Sequence, residues 1–322
     1  MKRTIAVLRV LLALMVGATT CALADEFPSR PVKVVVPVPP GGPLDISARL
    51  IAKELQQRWG HAVIVENRAG AAGNIGADYV AKNTPDGYTL LLAASAALIN
   101  SAHLQKLPYD LLKDLAGVSQ TGVLVFVLVV NPKTGITSIP SLVERAKSAP
   151  GRLTFGSGGT GSGQHLYMEL LKSAAGINLT HVPYKGGAPA LQAVLAGEVD
   201  MVFEVSSTVI PMVKSGKAAA LMVTGAKSLE QLPGAVPFSG LYPGVDVQGW
   251  QGIFAPTGTP APILEKLGRD VRQVVLSQAI STRFRELGVE PSGVSGEKFA
   301  EIIRRDFQRW GEIIRANNIR AD

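Results

Sequence analysis

Three short runs in this 322-residue chain gather glycines with hydroxyl, carboxylate or amine groups, and a fourth ends in a carboxylate, the ingredients of a site for a small anion. The first, from Val36 to Asp45, reads Val-Pro-Val-Pro-Pro-Gly-Gly-Pro-Leu-Asp. An apolar β-branched stretch ends there, two glycines follow, and a helical pattern begins. Ligands of open α/β sheets bind beyond the carboxyl ends of the strands, where helix amino ends present unpaired N–H groups. Gly41 and Gly42 remove side chains that would keep an anion from those donors. Asp45 falls in the first helical turn, where the helix dipole favours a carboxylate, so it could equally act as a cap.

The second run is Gly156-Ser157-Gly158-Gly159-Thr160-Gly161-Ser162-Gly163-Gln164-His165. Gly156, Gly158 and Gly161 satisfy G-x-G-x-x-G, the dinucleotide fingerprint. That fingerprint needs an acidic residue roughly 20 positions on to hold a ribose. Thr180-His181-Val182-Pro183-Tyr184-Lys185 stands there instead, without an acid. What remains is a turn dense in backbone and hydroxyl donors. In the third run, His181 to Pro189, Lys185 could attract an anion or simply be solvated. In the fourth, Asp200 to Glu204, Glu204 follows an apolar strand and could line a cleft or form a salt bridge.

Signatures of catalysis are missing from these runs. Ser157 and Ser162 lie in no G-x-S-x-G, and G-x-x-x-x-G-K-[ST] is absent. Histidines 61, 103, 165 and 181 show no metal-binding spacing,. His165 reads as a packed or capping residue. The reading therefore includes neither a metal nor a cofactor.

The elements that must position these runs alternate. Val32–Val36, Ala62–Glu66 and Tyr88–Leu92 read as strands; Leu44 to Trp59 and Asn74–Lys82 have helical spacing. That is the mark of parallel βαβ units. After an apolar stretch at Val123–Val130 the pattern restarts. Helices at Ile139–Ser148, Gln164–Ala175 and Ala188–Leu195 separate strands at Leu153–Phe155, Leu179–Val182 and Val199–Phe203. A further strand follows at Ala218–Thr224. Trp250–Ala255 is the last clear strand, and helices fill the tail. In the final one a single apolar face runs from Phe299 to Ile314, with only Asp306 out of place. Two α/β blocks imply two domains with a cleft between them.

Composition agrees with a globular chain: 47% of residues are hydrophobic and 18% charged, while 34 glycines and 21 prolines follow no repeat,. The formal charge of +7 includes Lys2, Arg3 and Arg9. Those three residues, an apolar stretch at Val10–Val16 and Ala22-Leu23-Ala24 form a secretory leader expected to be cleaved after Ala24. The remainder has 29 bases against 25 acids, a balance that gives little reason to expect a nucleic-acid partner. Cleavage would remove Cys21, the sole cysteine, and with it disulfide and thiolate chemistry,. No later stretch is long enough for a membrane helix, so the expected product is exported without membrane insertion, and a monomer is expected.

The chain resembles the Bug family of periplasmic solute receptors, which serve tripartite tricarboxylate transporters. The resemblance spans the whole region after residue 24. It rests on Pro39-Pro40-Gly41-Gly42-x-x-Asp45, Glu66-Asn67-Arg68-x-Gly70-Ala71-x-Gly73, Thr84-Pro85-Asp86-Gly87-Tyr88 and Leu107-Pro108-Tyr109-Asp110. It continues through Gly161-Ser162-x-x-His165-Leu166, His181 to Gly186 and Ala255-Pro256-x-Gly258-Thr259-Pro260. The family implies a type II periplasmic-binding fold, two α/β domains closing on a small carboxylate. It implies one domain from residues 25–123 with 247–322 and another from 124–246, with Val123–Val130 and Trp250–Ala255 as crossing strands. It implies ligand contacts at Val38, Pro40, Gly41, Gly42, Asp45, Ala94, Ser95, Ser157, Thr160, Gly161, Ser162, His165, Phe203 and Glu204. Val38, Ala93-Ala94 and Glu204 depart from the family's commoner residues, which favours a ligand with an amine or an apolar body over citrate. The partner would be a membrane permease; the alternatives are a receptor feeding a sensor kinase and an enzyme acting on a small carboxylate.

Overall fold

A computed structural model describes residues 27–225, 227–243 and 248–320. The leader and its cleavage point lie outside the described residues. Strands run at β1 (Val32–Val36), β2 (Val63–Asn67), β3 (Thr89–Ala94), β4 (Leu115–Leu124), β5 (Phe126–Val130) and β6 (Thr154–Ser157). They continue at β7 (Thr180–Pro183), β8 (Met201–Val205), β9 (Ala219–Val223), β10 (Val236–Pro237), β11 (Gly249–Pro256) and β12 (Val289–Pro291). The helices of two turns or more are α1 (Pro43–Trp59), α2 (Asn74–Ala81), α3 (Ile139–Ser148), α4 (Gly163–Ala175) and α5 (Gly187–Ala196). Then follow α6 (Ser206–Lys214), α7 (Ala261–Val275), α8 (Gln278–Glu286) and α9 (Glu297–Ala316).

The strands form two sheets, ordered β12-β4-β11-β3-β1-β2 and β10-β9-β5-β8-β6-β7. Within the first, β1 pairs in parallel with β2 and β3. The β-branched run of β1 is almost wholly buried, as a parallel strand covered on both faces must be,. Its cover on one side is α1, which turns Ala48, Ile51, Ala52 and Leu55 inward at helical spacing,. Pro43 suits the first helical turn, and Gly60 ends the helix in the left-handed conformation, its N–H donating to the Gln56 carbonyl,. In the second sheet β6 is parallel to β7 and β8, while β5 is antiparallel to β8 and β9.

The crossing between sheets differs from the expectation. Val123–Val130 is not one strand. Leu124 pairs with Gly249 and Val289 in the first sheet, whereas Phe126 pairs with Val205 in the second, and the break falls at Val125. Trp250–Ala255, unlike that segment, does not cross, because β11 pairs only with β3 and β4. The return lies upstream of it. Thr224 donates its N–H to the Phe126 carbonyl in the second sheet, and by Gly249 the chain is in the first. Nor is β11 the last strand: β12 adds an edge beside β4. Its three residues between two helices are too few to show a period of two.

The C-terminal helix α9 packs on the first sheet through Phe299 and Ile303, which lie against Gly117 of β4, and the Trp310 ring meets Tyr167 of α4 edge-on at 5.5 Å. It therefore touches both halves.

Candidate functional site

The glycine turn after β1 is held by its own carboxylate. Asp45 is buried, and its Oδ2 accepts from the Gly41 N–H and from Arg49 Nε, both at 2.9 Å. Its Oδ1 accepts from Asn67 Nδ2 at 2.9 Å, and the same amide donates to the Val38 carbonyl. The Arg49 bond, with help from Gly41 and Asn67, lowers the Asp45 carboxyl to about 2. Asp45 thus acts as a clasp for the turn. Pro40 and Gly41 are exposed, Gly42 is half-buried, and Gly41 has φ +91°, a conformation suited to glycine,. Helix α1 begins at Gly42 with no side chain on its first amides, and Pro43 has no N–H to offer,.

At the end of β3, Ala94 is half-buried and Ser95 is buried, its hydroxyl accepting from the Trp250 N–H at 3.2 Å. A π-helical turn, Ala96–Asn100, follows directly and leads into a single helical turn, Ser101–Leu104.

In the second half, Ser162 caps α4 by accepting from the His165 N–H, and Gly161 donates its own N–H to His165 Nδ1 at 3.1 Å. Because Nδ1 accepts, a proton on the neutral ring sits on Nε2, which faces Glu169 Oε1 at 3.7 Å,. The His165 and His181 rings stack 3.9 Å apart, with Phe155 beyond His181 at 4.8 Å. His181 Nε2 lies 2.7 Å from the Ser157 hydroxyl. Ser157 exposes no surface, and its oxygen also meets the Gly159 backbone.

Of the arrangements left open for Glu204, a salt bridge is not formed among the described residues. Its carboxylate is buried among amides: Gln164 Nε2 donates to Oε2 and the Val205 N–H donates to Oε1, both at 2.7 Å. Burial pushes its pKa up, against the pull of those two donors. Gln164 in turn accepts from the Gly158 N–H, tying β8 to the second glycine turn. Gly187 completes the unit, since a Cβ there would overlap Glu204 Oε2 and Gln164 Nε2. Phe203 points to the other face of β8, wholly buried, 5.8 Å from the Tyr167 ring. Its side chain is core beneath the site. Thr160 is half-buried in the turn, and Lys185 is exposed on the neighbouring one.

The two halves meet at Gly161. Asn100 Nδ2 donates to the Gly161 carbonyl at 3.0 Å, and Leu104 rests on the same residue. The first glycine turn reaches this seam through Pro37, which packs beside Gly73 and Gly76, with Ala97 next to Gly73. A cavity of about 690 Å³ opens elsewhere, between α7, α9 and the start of β4, and carries none of the candidate residues. The four sequence runs did not single out Asn67 or Asn100. Asn67 lies in the Glu66-Asn67-Arg68 motif, whereas Asn100 ends an apolar stretch and has no local signal.

Two sheets joined by a strand broken at Val125, with glycine turns leading from strand ends into helices in both, define a two-lobed α/β solute-binding fold. The profile of the tripartite tricarboxylate transporter family receptor, TctC, matches residues 47–319, and the chain belongs to that family of periplasmic solute-binding proteins. Protein BugT of Bordetella pertussis is 35% identical over 318 residues, covering 98% of this chain and 97% of its own. A solved R. palustris protein with adipate superposes with TM-score 0.78 at 32% identity, covering 92% of this chain and all of its own. MatC from Rhodopseudomonas palustris with bound malate gives TM-score 0.72 at 30% identity over 89% of this chain and all of its own. The resemblance carried by the motifs is borne out. Among the described residues, no helix is long and apolar enough to cross a membrane.

Proposed function

We propose that this receptor captures a small organic carboxylate in the periplasm and delivers it to the membrane subunits of a tripartite transporter. The ligand class is a dicarboxylate, a tricarboxylate, an aromatic acid or an amino acid. The first lobe comprises residues 25–124, one beyond the expected bound because Leu124 pairs in the first sheet, with 247–322; the second comprises 125–246, and the leader is removed after Ala24. The observation that carries the reading is the pair of helix amino ends: α1 and α4, one in each lobe, start from glycine turns that contain no Arg or Lys. Their first amides have no partner within the helix and favour negative charge. Each hydrogen bond to a charged group contributes about 1.5–3 kcal/mol, so a few neutral donors suffice to hold a carboxylate in a closed cleft. The relatives solved with adipate and with malate support this ligand class.

The Ser157–His181 pair gives little support to a hydrolytic reading, since the hydroxyl is buried and engaged with Gly159.

A thermal-shift screen over dicarboxylates, tricarboxylates, aromatic acids and amino acids tests the proposal. A ligand at about 100 times Kd adds about 2.7 kcal/mol to stability. If no acid shifts the melt while the protein turns one over, the receptor reading fails and an enzymatic one replaces it.

A further inference from the structure

We infer that Asn100, with Leu104, is an interlobe latch: a positioning residue that sets ligand affinity without touching the ligand. The inference rests on the receptor reading only for its affinity arm. Asn100 ends the π-helical turn that leaves β3, is 4% exposed, and donates across the seam to Gly161, 61 positions away. Short π-helical turns favour functional positions because they redirect side chains that a regular helix would place elsewhere.

Gly161 is suited to receive this contact. Its φ of +78° is a glycine conformation, and a Cβ would overlap Leu104 Cδ1,. Its N–H is committed to His165 and its carbonyl to Asn100, so the residue is fixed from both lobes. The next residue, Ser162, caps α4. Whatever holds Gly161 therefore also holds the amino end of α4, the second lobe's candidate carboxylate site.

The contact is direct between protein groups, and so it biases the two lobes toward closure whether or not a ligand lies between them. When the lobes part, Asn100 and Gly161 exchange their bond for water and Leu104 loses its seat. Ligand enters the open form, and the latch adds to the stability of the closed, liganded one. Weakening the latch therefore raises the dissociation rate and leaves the association rate nearly unchanged.

The test uses the full mature chain and three variants: Asn100→Asp, which keeps the shape and loses the donor, Leu104→Ala, and both together. Small-angle scattering without ligand reads lobe separation, and stopped-flow and calorimetric titration with adipate and malate read rates and affinity. We expect a larger radius of gyration for each variant and a rise of about tenfold in dissociation rate for Asn100→Asp, equivalent to about 1.4 kcal/mol. The association rate should stay within about twofold, and the double variant should fall short of the product of the single effects. Scattering profiles identical to the parent would overturn the latch, as would an affinity loss carried by the association rate. If Asn100→Asp does not fold, Leu104→Ala carries the same two readouts. If neither acid binds the parent chain while the variants still open, the latch stands and these two dicarboxylates are ruled out as ligands.

Discussion

Trp250 of β11 donates its indole N–H to Asp306 of α9 across 2.8 Å, with both side chains buried. This bond accounts for the one acidic residue on the apolar face of the last helix. Arg305 takes the other carboxylate oxygen at 3.1 Å. Burial raises the Asp306 pKa, and the bonds from Trp250 and Arg305 only partly oppose it.

Asp306→Ala leaves the indole N–H unbonded in a buried site and should cost about 1–3 kcal/mol. Asp306→Asn keeps an acceptor for Trp250 and removes the buried charge. A carboxyl whose folded pKa is raised loses stability as pH climbs above its unfolded value of 3.8,. Relative to the parent, Asp306→Asn should therefore gain between acidic and mildly alkaline pH. Urea denaturation at pH 4 and pH 8 measures this, and a variant that loses ground to the parent toward pH 8 would contradict it.

Asp45 behaves in the opposite sense. Its folded pKa of about 2 lies below the unfolded 3.8, so its contribution is complete above the higher value and disappears as pH falls through the lower,. Arg49 is half-exposed, which screens the pair, so Asp45→Asn should cost roughly 1–2 kcal/mol at neutral pH,. The difference between parent and variant should vanish between about pH 4 and pH 2, read by circular dichroism in urea. A constant difference across that window would assign the cost to packing.

Gly187 is needed for space, because Glu204 and Gln164 fill the volume of its missing side chain. Gly187→Ala should destabilise by about 1–3 kcal/mol through overpacking. Glu204→Ala in the same molecule should recover part of the loss, and additive melting temperatures would show that the two residues do not compete.

Binding should follow the helix ends more than the nearby cation. A side chain at Gly42 meets nothing within 4 Å, and the backbone there is ordinary. Gly42→Val should then abolish carboxylate binding while leaving the melting temperature of the unliganded protein nearly unchanged. Ser162→Ala should weaken binding about tenfold, partly through the lost cap on α4,. Lys185→Ala should matter least. Calorimetric titration ranks the three, and a larger loss at Lys185 than at Ser162 would place a cationic side chain on the ligand.

Export should yield a protein starting at Asp25. Intact mass of periplasmic material checks this directly; an N-terminus at Met1 or a lipid on Cys21 would refute it.

The long βα alternation was legible because the elements of parallel sheets announce themselves locally: Val32–Val36 is a buried run, and Ile139–Ser148 is a helix opened by a serine cap. The glycine runs were legible for the same reason, since strand end, turn and helix start are contiguous in the chain. Partnerships were not. Nothing near Asp45 announces that Asn67 hydrogen-bonds it, and nothing near Asn100 announces Gly161. Glu204 was readable as an acid at a strand end, but whether it meets solvent, a cation or an amide depends on Gln164, 40 positions earlier. The break at Val125 was hidden because both halves of that apolar stretch are strands and only their neighbours differ.

The place of β11 has a consequence for the order of events as the chain emerges. It lies between β3 and β4, so Ala94 waits for Gln251, and the first sheet has a gap at its centre until the entire second sheet has been made. Pairings this distant in sequence close slowly, because loop entropy is lost before the contact rewards it. A nascent chain short of β11 holds β3 and β4 with open edges and lacks Trp250 and Phe254, which are buried once that strand is in place. The second sheet has no such debt to the C-terminus, since all its strands precede residue 238. Lobe two should assemble first, and lobe one should complete only when the tail is released. Such a delay keeps the first lobe, which carries the N-terminus, threadable until synthesis is nearly complete.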